Sequence, residues 1–453
     1  MVELKSSNQQ HDNSQEEEKI TELNQIIQER DTEMRKQLHN HIQILKGNIR
    51  VYCRVKPLLA SRLSQNFSSM DQVKSSIEFP QRLRDELQTQ LEVNGTDQQS
   101  KLFHFDCVFP HESTQTQIFN EVKPFIQTAL DGENVCIFAY GQTGSGKTYT
   151  MEGPDYGYMQ DDNCYQINDC SGIIPRAANF IFSEIDRIKA QFKREYHIEI
   201  SSMEIYCENL RDLYNDQVDQ QLNLVSVKNK ILIQGQSWKK VENINDFLKL
   251  VQISSAKRVT SSNGVNEHSS RSHHIFQIKI LGQNKSFESV ESLLNIIDLA
   301  GSERRSNISA AAPTTNGTAQ QSLDRKPTIS KPKVADKNFH QSKTINKKPV
   351  NKGKQDLNDS FKAEQQQQIL EQESVSINKS LTTLGRVFMM IADRKCKSKQ
   401  NPPYRESKLT RILQDCLTSE TKTLMIVNIC SGNENIQQTK ESLNFASQAM
   451  LAY

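Results

Sequence analysis

No apolar run in this chain approaches the ~20 residues that a membrane-spanning helix requires. The N-terminus is polar and acidic, unlike the basic-then-apolar pattern of a secretory leader. Nine cysteines occur without a C-x-x-C pair or a metal-ligand spacing. Cys164 and Cys170 lie close together but suggest no disulfide framework, so the sequence predicts a soluble protein in a reduced, intracellular compartment. Hydrophobic residues are also scarce, at 35% of 453, which predicts that a substantial part of the chain lies outside any packed core. The net charge of +2 excludes little, because the charges are unevenly placed. The length leaves room for two or three average domains, or for one large domain with appendages.

Composition divides the chain. Residues 1–14 are polar and predicted to be disordered. From Gln15 to Lys46 proline and glycine are absent and Glu, Gln, Lys and Arg dominate, which favours helix. Ile20, Leu23, Ile27, Met34 and Ile44 fall on one heptad seam whose other positions hold Arg30, Gln37 and His41. Leu38, Ile42 and Leu45 offer a shifted stripe, as after a stutter. Residues 15–47 thus read as a short coiled coil or a single solvated helix, closed by Gly47-Asn48. A strand is expected over Ile49–Val55, then an irregular loop or hairpin between Leu58 and Lys101. From Phe103 to Arg304 apolar strands and amphipathic helices alternate, the pattern of an α/β sheet covered on both faces. Expected strands include Val135–Tyr140, His197–Ile205, Ile275–Ile280 and Leu293–Leu299; expected helices include Glu121–Leu130, Pro175–Phe192 and Ile244–Val251. Residues 305–370 lose this periodicity. Within 325–354 ten Lys and Arg face one acid, Asp336, which predicts a disordered basic insertion. Ordered sequence resumes through Ile377–Ile391 and Leu409–Leu417, with a strand at Leu424–Ile429 and a helix at Lys440–Leu451.

The most informative stretch is 139–148, Ala-Tyr-Gly-Gln-Thr-Gly-Ser-Gly-Lys-Thr. Gly141, Gln142, Thr143, Gly144, Ser145, Gly146, Lys147 and Thr148 complete the G-x-x-x-x-G-K-[ST] phosphate loop. Its glycines let backbone N–H groups turn onto phosphate oxygens, with a helix N-terminus behind them. Lys147 is expected to reach the β- and γ-phosphates and the Thr148 hydroxyl to hold Mg²⁺. Two further segments bear on the chemistry. Asn266-Glu267-His268-Ser269-Ser270-Arg271-Ser272-His273 gathers hydroxyls, an amide and a guanidinium before a strand. Asp298-Leu299-Ala300-Gly301-Ser302-Glu303 follows a buried strand, where an Asp serves either as a metal residue or as a helix cap.

Together these three segments resemble the P-loop, switch I and switch II of the kinesin motor family. Further matching stretches follow in order: Arg54-Val55-Lys56-Pro57, Phe105-Asp106-Cys107-Val108-Phe109, Gly172-Ile173-Ile174-Pro175-Arg176, Ile377-Asn378-Lys379-Ser380-Leu381, Tyr404-Arg405-Glu406-Ser407-Lys408-Leu409-Thr410 and Ser442-Leu443-Asn444-Phe445-Ala446. The resemblance implies a P-loop NTPase fold over 48–453, a central mostly parallel sheet flanked by helices on both faces, preceded by a neck helix. It implies ATP and Mg²⁺ as ligands. Arg54, Pro57 and Tyr149 would frame the adenine. Ser269 and Ser270 would contact γ-phosphate, metal or attacking water, Asp298 would hold the metal, and Gly301 would sense the γ-phosphate through its N–H. Arg271 and Glu303 look like the ion pair that joins the two switches in the closed state, and Asn378 would link switch II to the helix lying on the track.

Microtubules are acidic, and a basic cluster lies around the Tyr404–Thr410 motif: Arg394, Lys395, Lys397, Lys399, Arg405, Lys408 and Arg411. No interleaved aromatics or reading module accompany it, which disfavours nucleic acid. The run Leu45-Lys46-Gly47-Asn48-Ile49-Arg50-Val51 passes directly from helix into the first strand, as in kinesin-14, whose motor is C-terminal. The resemblance therefore implies ATP-driven, minus-end-directed movement on microtubules in the cytoplasm, the spindle among its sites. Pairing through the neck or stalk would give a homodimer or heterodimer; a microtubule cross-linker with little motility is the alternative. Departures from the family are Lys56 where Arg is usual, Glu133 where Tyr is common, Cys207 where Asn is common, and the insertion, which sets Asp298 and Asn378 80 positions apart.

Overall fold

The computed structural model describes residues 30–452 apart from 58–74, 81–87, 95–99, 155–158, 161–163, 166, 193–194, 216–221, 229, 261–269, 284–288, 304–372, 374, 394–400 and 419, together with a few residues between 19 and 28. The expectations for residues 1–14, for the 305–370 insertion, for Ser269 and for Arg394, Lys395, Lys397 and Lys399 fall outside the described residues.

A nine-stranded sheet forms the centre. In chain order its strands are β1 (Ile49–Lys56), β2 (Cys107–Phe109), β3 (Val135–Tyr140), β4 (Glu195–Tyr206), β5 (Asn209–Asp212), β6 (Lys239–Val241), β7 (His273–Gln283), β8 (Ser289–Asp298) and β9 (Lys422–Cys430). They lie in the order β5-β4-β7-β8-β3-β9-β1-β2, with β6 also pairing β4. From β8 to β2 every pair is parallel. Beyond β8 the sheet is antiparallel through the β7–β8 pair, so the central sheet expected from sequence is a mixed one whose parallel strands carry the site.

Helices cover both faces. They are α1 (30–45), α2 (Gln115–Leu130), α3 (Lys147–Met151), α4 (Ile173–Phe192), α5 (Ile244–Thr260), α6 (375–393), α7 (Lys408–Leu413) and α8 (Ile436–Leu451). Strand alternation assigns the faces. Val135, Ile137 and Ala139 join Ile118, Phe125, Ile181 and Phe247 in one core under α2, α4 and α5. Cys136, Phe138 and Tyr140 point the other way, to Leu384, Phe388 and Phe445 of α6 and α8. Tyr140 stacks on Phe445 with centroids 4.1 Å apart. Burial on both faces explains why β3 is one unbroken apolar run, with the bounds expected from sequence.

Two helices are longer than expected. α2 starts at Gln115 rather than Glu121, because Thr114 and Gln117 form a capping box: the Gln117 N–H donates to Thr114 Oγ1 at 3.2 Å and the Thr114 N–H to Gln117 Oε1 at 2.9 Å. Pro124 inside it removes one donor without ending the helix, since the buried face on either side is continuous. α5 runs on past Val251 to Thr260, and that extra length carries Arg258 into the interior. The region between Leu58 and Lys101, expected to be an irregular loop or hairpin, includes strands Ile77–Glu78 and Gln90–Asn94; the second pairs antiparallel with both the first and Ser100–His104 in a separate three-stranded sheet.

Candidate nucleotide site and its switches

Parallel strands place their loops at one edge of the sheet, where open α/β folds bind ligands. At this edge the phosphate loop follows β3, Asp298 ends β8 opposite Ala139, and Arg54 of β1 lies opposite Asn428 of β9. The loop needs its glycines. Gly141 sits at φ 146°, and a Cβ there would lie 2.1 Å from the Asn428 carbonyl oxygen. Gly146, at φ 96°, begins α3 in the left-handed region, and a Cβ there would meet nothing within 4 Å, leaving the cradle open to a ligand.

Lys147 is buried and folds back to donate to the carbonyls of Gly141 at 2.8 Å and Gln142 at 2.9 Å. Burial lowers its pKa, opposed by the negative charges of Asp298 and Glu303. The Thr148 hydroxyl donates to Asp298 Oδ2 at 2.6 Å, joining the two expected metal residues. Three buried oxygens around this point have no hydrogen-bond partner: Asp298 Oδ1, Ser145 Oγ and Gln142 Oε1. An oxygen-rich pair with an unsatisfied carboxylate fits a hydrated divalent cation, and a buried lysine in an N–H-lined loop fits phosphate. The residues therefore fit MgATP, with Thr148 and Asp298 on the metal side and Lys147 on the phosphates. Bound Mg²⁺ would neutralise charge developing on the phosphates.

Arg54, expected at the adenine, is buried and lies 5.2 Å from the Tyr149 ring centroid. It donates to Gln115 Oε1 at 2.9 Å and Thr150 Oγ1 at 2.7 Å, and burial pushes its pKa down to about 10. Tyr149 is 40% exposed and Pro57 is exposed, so both are available to a base. Lys56, the departure from Arg, donates to the Gly144 carbonyl at 2.7 Å and so braces the loop.

The switch segments are tied to this loop and to each other. The Ser302 N–H donates to Gly141 O at 3.1 Å, and the Gly301 N–H to Ser270 O at 2.8 Å. The Gly301 amide, expected to report a phosphate, thus bridges the two switches here. Glu303 accepts from the Thr143 N–H at 2.7 Å and makes a second, short hydrogen bond with the Thr143 hydroxyl. The expected Arg271–Glu303 ion pair is not formed in this structure. Arg271 Nη1 instead lies 2.6 Å from Oε2 of Glu373, a helical residue just before α6. The physical reason is competition: each member of the expected pair already has a near, partly buried counterpart. Asn378 and Glu303 line a cavity of about 400 Å³ with Tyr140, Gly385 and Phe445, between α6 and α8.

His273 connects the site to α6. Its Nδ1 accepts the Ala300 N–H at 3.0 Å, and its Nε2 lies 2.9 Å from Ser380 Oγ. Burial pushes its pKa down to about 3, with Lys147 and Arg258 adding to the effect. The ring is therefore neutral, carries its proton on Nε2 and donates to Ser380, which donates to Ile377 O at 2.8 Å. This lowered pKa has a definite sign. Between about 3 and the unfolded value near 6.5 the unfolded chain binds a proton that the fold refuses, so stability falls as pH falls through that window. Between pH 7 and pH 5 His273 alone should remove about 2 kcal/mol, and urea unfolding should show a flatter acid slope in His273→Gln.

Behind the loop lies a buried charge cluster that the sequence reading missed. Glu152 Oε1 is 3.1 Å from Arg258 Nη1 and 3.1 Å from His274 Nδ1, and its Oε2 accepts from Ser255 at 2.6 Å. Burial works to raise the Glu152 pKa, but His274, Arg258 and Ser255 outweigh it and hold it at about 2. Arg258 Nη2 reaches to 3.5 Å from Asp298 Oδ2. Glu152 is adjacent in sequence to the phosphate-loop helix, which was a usable signal; Arg258, His274 and Glu373 carried none, being single residues far apart in the chain.

A glycine-rich loop between a parallel strand and a helix, with an Asp ending the next strand and a Thr on the helix beside it, defines a P-loop nucleoside triphosphatase. The kinesin motor domain family matches residues 54–323 and 334–451. Carboxy-terminal kinesin 2 of Xenopus laevis is 34% identical over 97% of this chain and 59% of its own length. Kinesin-like protein KAR3 of Saccharomyces cerevisiae is 33% identical over 95% of this chain and 50% of its own. A solved structure of the C-terminal motor and motor homology domain of Kar3Vik1, fused to a synthetic heterodimeric coiled coil, superposes with TM-score 0.71 at 31% identity, covering 99% of this chain and 97% of that one. The chain belongs to the kinesin family, in its C-terminal-motor, kinesin-14 branch. It spans about half the length of the curated relatives it matches.

Proposed function

We propose that the chain is a microtubule-stimulated ATPase that converts ATP hydrolysis into minus-end-directed movement along microtubules. One observation carries this reading: the 300–303 segment is hydrogen-bonded to the phosphate loop through Glu303 and Thr143, to Ser270 through the Gly301 N–H, and through the Ala300 N–H to His273, which reaches Ser380 on α6. Phosphate occupancy can bias such a path, because its links are discrete contacts for which a bound phosphate competes. Lys147 binds and neutralises phosphate, Thr148, Ser270 and Asp298 serve the metal, and Ser269 and Ser270 orient the attacking water. Arg271 and Glu303 close the site when they pair, excluding bulk water. Arg54, Pro57 and Tyr149 receive the base.

The track surface is the basic face around α7. Arg405 is exposed and Lys408 and Arg411 are half-buried, and Arg386 of α6 pairs with Glu406 at 2.5 Å. Lys395, Lys397 and Lys399 extend this charge in sequence. On the opposite side α1 rests on α2, through Arg35 and Asp131 at 2.7 Å and through His39, whose Nε2 lies 3.1 Å from the Pro124 carbonyl. In this reading α1 is the neck, and its exposed Leu38, Ile42 and Leu45 take a second helix, in a homodimer or a heterodimer. The working place is the microtubule cytoskeleton of the cytoplasm, the spindle included.

Gliding of polarity-marked microtubules over immobilised motor tests direction: the minus end should lead the motor's travel, and plus-end-directed travel overturns that part. The insertion enters through its charge. The ten basic residues within 325–354 should hold tubulin's acidic tails by screened attraction. Deleting 320–360 is expected to weaken microtubule landing several-fold at moderate salt; unchanged binding across a salt series removes the tethering role.

A further inference from the structure

Both members of the expected switch pair are held by other partners. Arg271 Nη1 is 2.6 Å from Glu373 Oε2, with side chains only 13% and 9% exposed. The other Glu373 oxygen accepts a short hydrogen bond from the Tyr206 hydroxyl at the end of β4. Glu303 meanwhile holds the Thr143 N–H and hydroxyl. We propose that Glu373 is a decoy carboxylate, a positioning residue that keeps Arg271 away from Glu303 and so delays ATP hydrolysis until α6 moves. This rests on the ATPase reading above and adds a regulatory part to it.

The geometry favours an exchange rather than a static ion pair. Arg271 pairs with Glu373, while the segment that carries Glu303 is held one residue away from Arg271 by the Gly301 N–H to Ser270 O bond at 2.8 Å; the two glutamates flank the 304–372 segment in sequence. A guanidinium held by a largely buried carboxylate gives up a charge-assisted hydrogen bond to change partner, so the competition between the carboxylates sets the closed population. Tyr206 makes the exchange affordable in structural terms, because Glu373 keeps one donor when Arg271 departs. Burial and Glu373 both raise the Tyr206 pKa, so the phenol remains a donor throughout the physiological range. Glu373 also stands beside α6, whose Arg386 pairs with Glu406 of the Tyr404–Glu406 turn. Any displacement of α6 on the track therefore pulls directly on the decoy. That gives the track a route to the chemistry that does not require contact with the nucleotide.

The test compares parent, Glu373→Gln and Tyr206→Phe in the full chain without microtubules. Glu373→Gln keeps the shape of the side chain and removes its charge. Single-turnover ATP hydrolysis is expected to rise roughly tenfold in Glu373→Gln, with a correspondingly weaker stimulation by microtubules, and to fall in Tyr206→Phe, where Glu373 has no donor left when Arg271 departs. Amide exchange over 270–273 should quicken in nucleotide-free Glu373→Gln, and in an Arg271→Ala background Glu373→Gln should leave it unchanged. A Glu373→Gln lesion that only damaged packing would slow hydrolysis instead. Slower or unaltered hydrolysis in Glu373→Gln, faster hydrolysis in Tyr206→Phe, or equal exchange effects with and without Arg271, overturns the decoy. Binding of a fluorescent ATP analogue separates the two failures. A parent that binds and hydrolyses ATP while Glu373→Gln changes nothing defeats the decoy alone; a parent that does neither defeats the ATPase reading and the decoy with it.

Discussion

Lys147→Met should reduce ATP turnover by at least about 10²–10³-fold while leaving the fold in place. Lys147 is the cation of the phosphate loop, and its ammonium is the only group there that can follow charge as it develops on the terminal phosphates. In the structure it donates to the Gly141 and Gln142 carbonyls, so it must leave these acceptors to reach a ligand. Methionine keeps the buried stem and removes the charge. The loss should therefore appear in turnover and in nucleotide affinity, with little change in thermal unfolding. A variant that still hydrolyses ATP near the parent rate would place the chemistry elsewhere.

Glu152→Ala is expected to cost about 3–5 kcal/mol of stability, the largest structural effect of any single change considered. Arg258 and Glu152 have side chains 3% and 6% exposed, and the loss of the carboxylate leaves a buried guanidinium without its main counter-charge. Arg258 Nη2 is already 3.5 Å from Asp298, so the freed arginine should swing toward the metal side of the site. Stability and ATP affinity should consequently fall together. Urea unfolding measures the first and fluorescent-nucleotide titration the second. Glu152→Gln, which retains hydrogen bonds to Ser255 and His274, should fall between parent and alanine variant. A cost under about 1 kcal/mol for Glu152→Ala would mean that the cluster behaves as a surface pair despite its burial.

The elements that position the site were readable because their physics is local. Strands buried on both faces carry apolar runs, Val135–Tyr140 throughout and Lys422–Cys430 over Leu424–Val427, and Gly141, Gly144 and Gly146 mark the loop expected to approach an anion. The start of α2 was hidden by a polar lead-in whose meaning lay in the capping box formed by Thr114 and Gln117. The end of α5 was hidden because Ser254, Ser255 and Arg258 look like a solvated tail; they are interior, Ser254 and Arg258 buried and Ser255 partly so. Partner choice was harder still. Arg271 could be read as half of an ion pair, but Glu303 and Glu373 are both acids near a switch, and only the folded chain decides which one holds it. A conformational alternative of this kind has no signature in composition or spacing.

The account stands or falls on coupling between the nucleotide site and the track, and phosphate release measured with and without microtubules tests it most directly. Turnover is predicted to be slow alone and to rise with microtubule concentration to saturation, with the half-point moving to higher microtubule concentration as salt increases. Hydrolysis at one rate irrespective of microtubules would contradict it.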